Sequence, residues 1–368
     1  MTPPLLFTPA PFGALTLRNR LVMAPMTRNR AIGNVPNALM AQYYRQRATA
    51  GLIITEGTSP SPNGLGYVRM PGIFSEHQIE LWRPITSAVH EEGGAIFLQL
   101  MHTGRISHPN NLPVGARVLA PSAVAAAGTI HAGNEGRAPH PLPEAMTEAD
   151  ILLAVREYAA AAVNAVRAGF DGVELHAANG YLIEQFIRPT TNCRNDRYGG
   201  GIEHRSRFAL ETAEAAATAI GAERVGIRLS PYGVTNDMHD YPGMEEEFGF
   251  IARELSTIGL LYIHLVDHGT MGAPPLPESA KSTMRKTFRG KLILSGGYDP
   301  VRAQEDLSAG KADLIAAGRP FLANPDLPER WKNGLPLNTP DRRTFYTDDE
   351  KGYTDYAAYG PGGPEKPA

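Results

Sequence analysis

Lys291-Leu292-Ile293-Leu294-Ser295-Gly296-Gly297 and, one helix-like interval later, Ala312-Asp313-Leu314-Ile315-Ala316-Ala317-Gly318-Arg319-Pro320 are short apolar runs that each break off into glycine. Runs this short and uniformly apolar have the form of parallel strands buried on both faces, because a strand with one wet face alternates instead. Glycines at their carboxyl ends let the backbone approach an anion and offer it N–H groups, and Arg319 adds a forked, charged donor. The same glycines also suit plain tight turns, with Arg319 paired to a surface carboxylate.

Six further runs of this kind precede them, over 21–26, 52–56, 95–100, 172–176, 224–230 and 262–267, each followed by a helix-like stretch. Thr147 and Asp150 form a capping-box pattern, after which Leu152, Val155, Ala159, Ala162 and Val166 keep helical spacing; Trp82, Ile85 and Val89 do so earlier. Gly169, Gly221, Gly259 and Gly290 fall where left-handed helix ends are wanted. Eight strands alternating with helices, and no G-x-G-x-x-G after any strand, predict the α/β class and a closed (β/α)8 TIM barrel rather than an open sheet. At 368 residues the chain exceeds the ~250 of a bare barrel, so a single domain over 1–368 with insertions competes with two smaller ones. Leu5–Phe7 and Leu15–Leu17 flank Phe12-Gly13-Ala14, which predicts an N-terminal hairpin under the barrel floor. The long stretch 103–146 after the third strand predicts a lid or small capping subdomain.

Composition narrows the function. An apolar share of 42% against 20% charged residues is that of an ordinary globular chain, and no apolar run nears the ~20 residues that span a bilayer. Met1 to Phe12 holds four prolines and no basic region before an apolar core, so no secretory signal and a cytoplasmic location are expected. A net charge of -3 without a basic block argues against nucleic acid, and Cys193, the only cysteine, excludes an internal disulfide, a cysteine-rich zinc site and an iron–sulfur cluster. Small-molecule partners are expected, with a monomer or homodimer both open and Cys193 either inert or reactive.

In a barrel of this kind chemistry sits at the carboxyl ends of the strands. There the chain places Pro25-Met26-Thr27-Arg28, Gln99 through His102, His176-Ala177-Ala178-Asn179-Gly180-Tyr181, Arg228, and the two glycine-rich ends. Gln99 donates and accepts at once, and a buried Arg228 requires something negative, whether a ligand or a carboxylate such as Glu174 or Glu56. His176 and Asn179, three apart at a strand end, can donate to a single oxygen, with the Tyr181 hydroxyl as a general acid nearby. Singly, the histidine suits a core position and the tyrosine a packing role. Tyr67 and Tyr346 are candidates for a pocket wall or for ordinary surface packing.

Taken in order, Asn19 to Arg28, Gln99 to Arg105, Phe170 to Gln185, Asn195 to Gly200, Gly318 to Pro328 and Gly352 to Tyr356 resemble the old yellow enzyme family of FMN-dependent ene-reductases, from Leu6 to about Tyr356. The resemblance implies tightly bound FMN: Thr27 on the flavin O4, Gln99 and Arg228 on the pyrimidine side, Gly296, Gly297, Gly318 and Arg319 at the phosphate, and Pro25, Met26 and Gly57 lining the ring with backbone. It further implies His176 and Asn179 gripping the acceptor's oxygen and Tyr181 supplying the proton. Thr27 resembles the branch containing pentaerythritol tetranitrate, morphinone and N-ethylmaleimide reductases. Met101 departs from the tryptophan frequent there, which implies a wider substrate pocket and puts stereochemical outcome in question.

The activity so implied is NADPH- or NADH-dependent reduction of the activated C=C bond of enones, maleimides or nitro compounds, with phenols as ligands. Reductant and acceptor would share one site, since no separate dinucleotide fold is legible, so ping-pong kinetics with trans protonation are expected. Two alternatives remain: a metal-dependent barrel hydrolase, suggested by His264-Leu265-Val266-Asp267-His268 but lacking a His-x-His on the first strand, and a non-catalytic flavin-binding module. No metal site is expected.

Overall fold

The computed structural model describes residues 4–360; the two outermost ends of the domain expected over 1–368 lie outside the described residues. A two-residue turn at Gly13 (φ +57°) and Ala14 sets Phe12 opposite Leu15, so the hairpin arms are β1 (Ala10–Phe12) and β2 (Leu15–Leu17). The expected first arm, Leu5–Phe7, has no partner in that register and curls into a 3-10 turn. Phe12 and Leu17 close the barrel floor, packed with inward side chains from Val22, Phe97, Tyr262 and Leu314.

Eight parallel strands then close on themselves. They are β3 (Leu21–Met23), β4 (Leu52–Ile54), β5 (Ile96–Leu100), and, beyond an insertion carrying β6 (Leu119–Ala120), β7 (Thr129–His131), β8 (Arg137–Pro139) and β9 (Glu144–Ala145), the run β10 (Gly172–Ala177), β11 (Val225–Leu229), β12 (Tyr262–Val266), β13 (Lys291–Ser295) and β14 (Leu314–Ala317). The barrel is therefore the expected (β/α)8 form, with β14 pairing β3 to complete the ring. β3 stops short of the expected 21–26 run; Pro25, lacking an N–H, cannot extend a ladder.

Strand side chains alternate inward and outward, and the inward set divides into two halves. From β13, β14, β3 and β4 it is apolar: Ile293, Leu314, Ala316, Val22, Ala24, Leu52 and Ile54. On β5, β10, β11 and β12 it is polar near the rim, with Glu174 level with Gln99, and His176 level with Arg228, itself level with His264. The cavity's chemistry follows from that split.

Outside the ring, Trp82, Ile85 and Val89 are buried on the helix Glu76–Glu91, and Thr147 and Asp150 form the expected capping box on Glu148–Arg167. That second helix buries Ile151, Ala154, Tyr158, Ala161, Ala162 and Ala165, whereas Leu152 is 38% exposed. The expected face is rotated by about one residue because close packing against the helix Ile202–Ile220 selects alanines, which a count of large apolar residues overlooks. Gly169, Gly221 and Gly259 take positive φ at helix ends; Gly290 does not. In the insertion, β6 pairs with β9 in parallel and β7 with β8 in antiparallel fashion. No described helix is long and apolar enough to cross a membrane.

Candidate active site

The carboxyl ends of the strands surround a cavity of about 890 Å³, large enough for a cofactor and a second small molecule. Pro25, Met26, Thr27, Gln99, Met101, His176, Asn179, Tyr181, Arg228, Gly296, Gly297, Gly318 and Arg319 all line it, as do Tyr67 and Tyr346. Gly57 does not. It lies behind the cavity wall, where its missing side chain makes room for Met101.

Arg228 is buried, yet among the described residues no carboxylate forms an ion pair with it, and its Nε has no hydrogen-bond partner. The two candidate counterions are engaged elsewhere. Glu174 accepts from Gln99 Nε2 at 2.8 Å and from His264 Nδ1 at 2.9 Å. Glu56 accepts from the Arg28 N–H and the Tyr44 hydroxyl, both at 3.3 Å, and burial pushes its carboxyl up to about 7. A buried guanidinium left this way is costly unless an anion from outside the chain meets it.

On the opposite side, Gly296 (φ +132°) and Gly297 (φ +65°) turn away from β13, and a Cβ at Gly297 would overlap the Thr270 methyl. Gly318 ends β14 and precedes the short helix Arg319–Ala323, whose first side chain is exposed and forms no ion pair among the described residues. The surface-carboxylate alternative for Arg319 thus finds no partner. Two backbone loops and one free cation face the same corner of the cavity.

Above the floor, His176 and Asn179 are brought together by a turn with two successive left-handed residues, Asn179 (φ +58°) and Gly180 (φ +76°). The turn is fixed from below: Glu184 accepts from the Gly180 N–H at 2.7 Å and from Ser230, which accepts from the Asn179 N–H at 2.9 Å. Glu184 is itself held by Arg188 at 2.7 Å in a fully buried ion pair. His176 Nδ1 accepts from the Ala178 N–H at 3.3 Å, and burial, aided by Arg228, holds the imidazole well below its ordinary range. The ring is therefore neutral with its proton on Nε2, facing the cavity.

Asn179 is oriented by a residue that the sequence pointed to for another reason. His268 Nε2 lies 2.8 Å from Asn179 Oδ1, and burial brings that imidazole down to about 4, so it is a neutral donor that leaves Asn179 Nδ2 as the free end. In the same segment His264 is committed to Glu174, and Asp267 accepts the N–H groups of Gly269 and Leu276 at 2.9 and 3.1 Å. These side chains serve different partners, and no cluster able to hold a metal occurs among the described residues.

The Tyr181 hydroxyl stands 3.0 Å from that of Tyr67, and its ring meets His176 edge-on at 4.8 Å between centroids. Burial raises its pKa, so the phenol keeps its proton at neutral pH. Met101 packs with Tyr181, Ile106 and Met70 in the adjoining wall. From the insertion, Ile130, His131, Arg137 and His140 reach the same cavity, contacts hidden in a stretch with no strong periodicity.

A buried, unpaired arginine, a glycine-rich cradle for an anion and free polar donors around one cavity suit, among barrel proteins, a flavin-dependent oxidoreductase. The chain belongs to the old yellow enzyme family: the model of the NADH:flavin oxidoreductase / NADH oxidase family matches residues 5–338. It resembles morphinone reductase with a TM-score of 0.94 at 45% identity over 99% of both chains. Morphinone reductase solved with tetrahydroNAD gives 0.92 at 45% identity over 98% of this chain and 99% of that one. 12-oxophytodienoate reductase 1 of Oryza sativa subsp. japonica is 42% identical over 355 residues, covering 95% of this chain and 92% of its own. A probable flavin mononucleotide-dependent alkene reductase of Leishmania infantum is 42% identical over 351 residues, or 94% of each chain. FMN, the cofactor the family implies, fits the residues present: the partnerless Arg228 Nε and the glycine cradle at Gly297 are what an anionic ring and a phosphate require.

Proposed function

We propose that this protein reduces the activated C=C bond of α,β-unsaturated carbonyls, maleimides and nitroalkenes, with NADPH or NADH as the source of electrons. The observation that carries this reading is the pair of free donors, His176 Nε2 and Asn179 Nδ2, on one wall beside a protonated tyrosine. When bound, FMN would supply the two-electron chemistry that links a nicotinamide to an activated alkene. Thr27, Gln99 and Arg228 hold its ring, Pro25 and Met26 line it, and Gly296, Gly297, Gly318 and Arg319 hold its phosphate.

The protein's own part is electrostatic and protonic. His176 and Asn179 bind the carbonyl or nitro oxygen and draw charge from the double bond, which opens the β-carbon to attack; donors aimed this way contribute roughly 10²- to 10³-fold in rate. Tyr181 then gives the proton on its hydroxyl to the α-carbon from the face opposite the cofactor, so addition is trans. Reductant and acceptor occupy the same wall in turn, which makes the kinetics ping-pong. Phenols bind there as oxyanion mimics, Tyr67, Met101 and Tyr346 shape the pocket, and the 103–146 insertion acts as its lid.

The test is product analysis with 2-cyclohexenone and either nicotinamide in deuterated water. Saturated ketone carrying deuterium at the α-carbon, and weaker binding of a phenol by His176→Ala, are expected. No turnover by protein replete with FMN defeats the proposal.

A further inference from the structure

Glu174, His264 and Gln99 form a relay inside the barrel that contributes no apolar packing, and all three are buried. His264 reaches from β12 to Glu174 on β10 across the intervening strand, where Gly226 is level with Glu174 and the Tyr262 ring fills the place a Cβ would take. Both oxygens of Glu174 are thereby occupied, one by His264 Nδ1 at 2.9 Å and the other by Gln99 Nε2 at 2.8 Å. Arg228 is two residues up the adjacent strand from Gly226, the residue level with Glu174, a diagonal that long side chains span. An ion pair between the two would be the ordinary outcome for a buried arginine beside a buried glutamate, yet none forms, and Arg228 Nε has no partner.

We propose that Glu174 is a positioning residue for the cofactor, clamped by His264 so that it orients Gln99 and leaves Arg228 unpaired. With its Nε2 drawn to Glu174, Gln99 presents its Oε1 as an acceptor to the cavity, the polarity a ring N–H needs. With Glu174 held back, Arg228 keeps its charge for the ligand. This inference rests on the FMN reading of the site. It predicts that the relay sets how much more tightly the protein binds the reduced, more negative flavin than the oxidised one.

Two substitutions act in opposite directions. Glu174→Gln removes a buried negative charge at nearly constant shape, so the ratio of reduced to oxidised affinity rises about tenfold, or ~30 mV upward in midpoint potential for a two-electron couple. His264→Leu frees one oxygen of Glu174 to pair with Arg228, so the ratio falls by about the same factor. His264→Asn retains an N–H near the Nδ1 position and stays within about twofold of the parent, ~10 mV on the same scale. The measurement is dye-equilibration potentiometry on flavin-loaded protein, with FMN content determined from the absorbance of released flavin.

Opposite shifts for Glu174→Gln and His264→Leu, with rescue by His264→Asn, support the relay. If His264→Leu does not fold, an upward shift in Glu174→Gln with a parental potential in His264→Asn supports it. A Glu174→Gln potential that is unchanged or lower overturns it while leaving the FMN site intact. A parent protein that takes up no FMN instead overturns the reading of the site on which the relay depends.

Discussion

Replacing Tyr181 by phenylalanine removes one oxygen from the proposed site and nothing else, so its consequence can be worked from the structure. A placed general acid is worth roughly 10²- to 10⁴-fold. The low end applies, because the Tyr67 hydroxyl stands only 3.0 Å from the oxygen that is lost and remains as a substitute donor beside the acceptor. Reoxidation of the bound flavin by cyclohexenone should therefore slow by ~10²-fold, about 2.7 kcal/mol in barrier. Removing both hydroxyls, in Tyr67→Phe with Tyr181→Phe, should slow it by about a further tenfold. Anaerobic reduction by NADPH or NADH needs no proton from this residue and should stay within about twofold of the parent. The cost in stability is about 1 kcal/mol, one hydrogen bond. Stopped-flow absorbance resolves the two half-reactions separately. Reoxidation that slows less than about threefold in the single variant, with FMN content unchanged, would refute the role given to the tyrosine.

Other parts of the structure are open to similar tests. His268→Leu releases Asn179 Oδ1 from its 2.8 Å partner, so the amide loses its fixed orientation and a phenol should bind about tenfold more weakly, the worth of one hydrogen bond; unchanged titration spectra would count against it. Gly297→Ala forces a side chain onto a backbone with φ +65° and against Thr270, so the protein should retain FMN poorly after dialysis, and full retention would contradict the cradle. Met101→Trp narrows the wall shared with Tyr181 and should change the enantiomer ratio on bulky enones, an idea that identical ratios would end. For acid stability the sign is fixed by burial: His102 and His268, brought down to about 3 and 4 from the ordinary 6.5, take up protons only when unfolded, so their stability contribution is complete above 6.5 and is lost as pH falls. Glu56, raised to about 7, opposes them, as do His90, Glu157 and Glu247, also raised, while His140, His176 and His264 shift in the same direction as the pair. Stability to urea should therefore fall by roughly 1 kcal/mol between about pH 6.5 and about pH 5.5, and a rise over that interval would contradict the balance.

Much of this architecture is written locally in the chain. All eight strands are legible because a segment buried on both faces must be apolar throughout, and the rim residues stand out because each ends such a segment. What is not legible depends on which side chain reaches which. Nothing in the order of residues says whether Arg228 is met by Glu174, by Glu56 or by neither; that turns on His264 engaging Glu174 across the strand between them. The role of His268 is hidden in the same way, since a histidine six positions after a strand's first residue suggests a ligand as readily as a brace for Asn179. The face of Glu148–Arg167 is misjudged because alanine carries little weight in a hydrophobic pattern yet decides how closely two helices approach. The hairpin's first arm is misplaced because turn register, not hydrophobicity, selects it. The insertion reaches the cavity through short two-stranded ribbons whose pairing is set by the fold around them.

The most direct test of the central claim is an anaerobic titration of the purified, FMN-loaded protein followed in the visible spectrum. The flavin band should bleach on addition of NADPH or NADH and return when 2-cyclohexenone is added without oxygen. A band that bleaches but stays bleached with every enone and nitroalkene offered, or protein that takes up no flavin at all, would contradict the account.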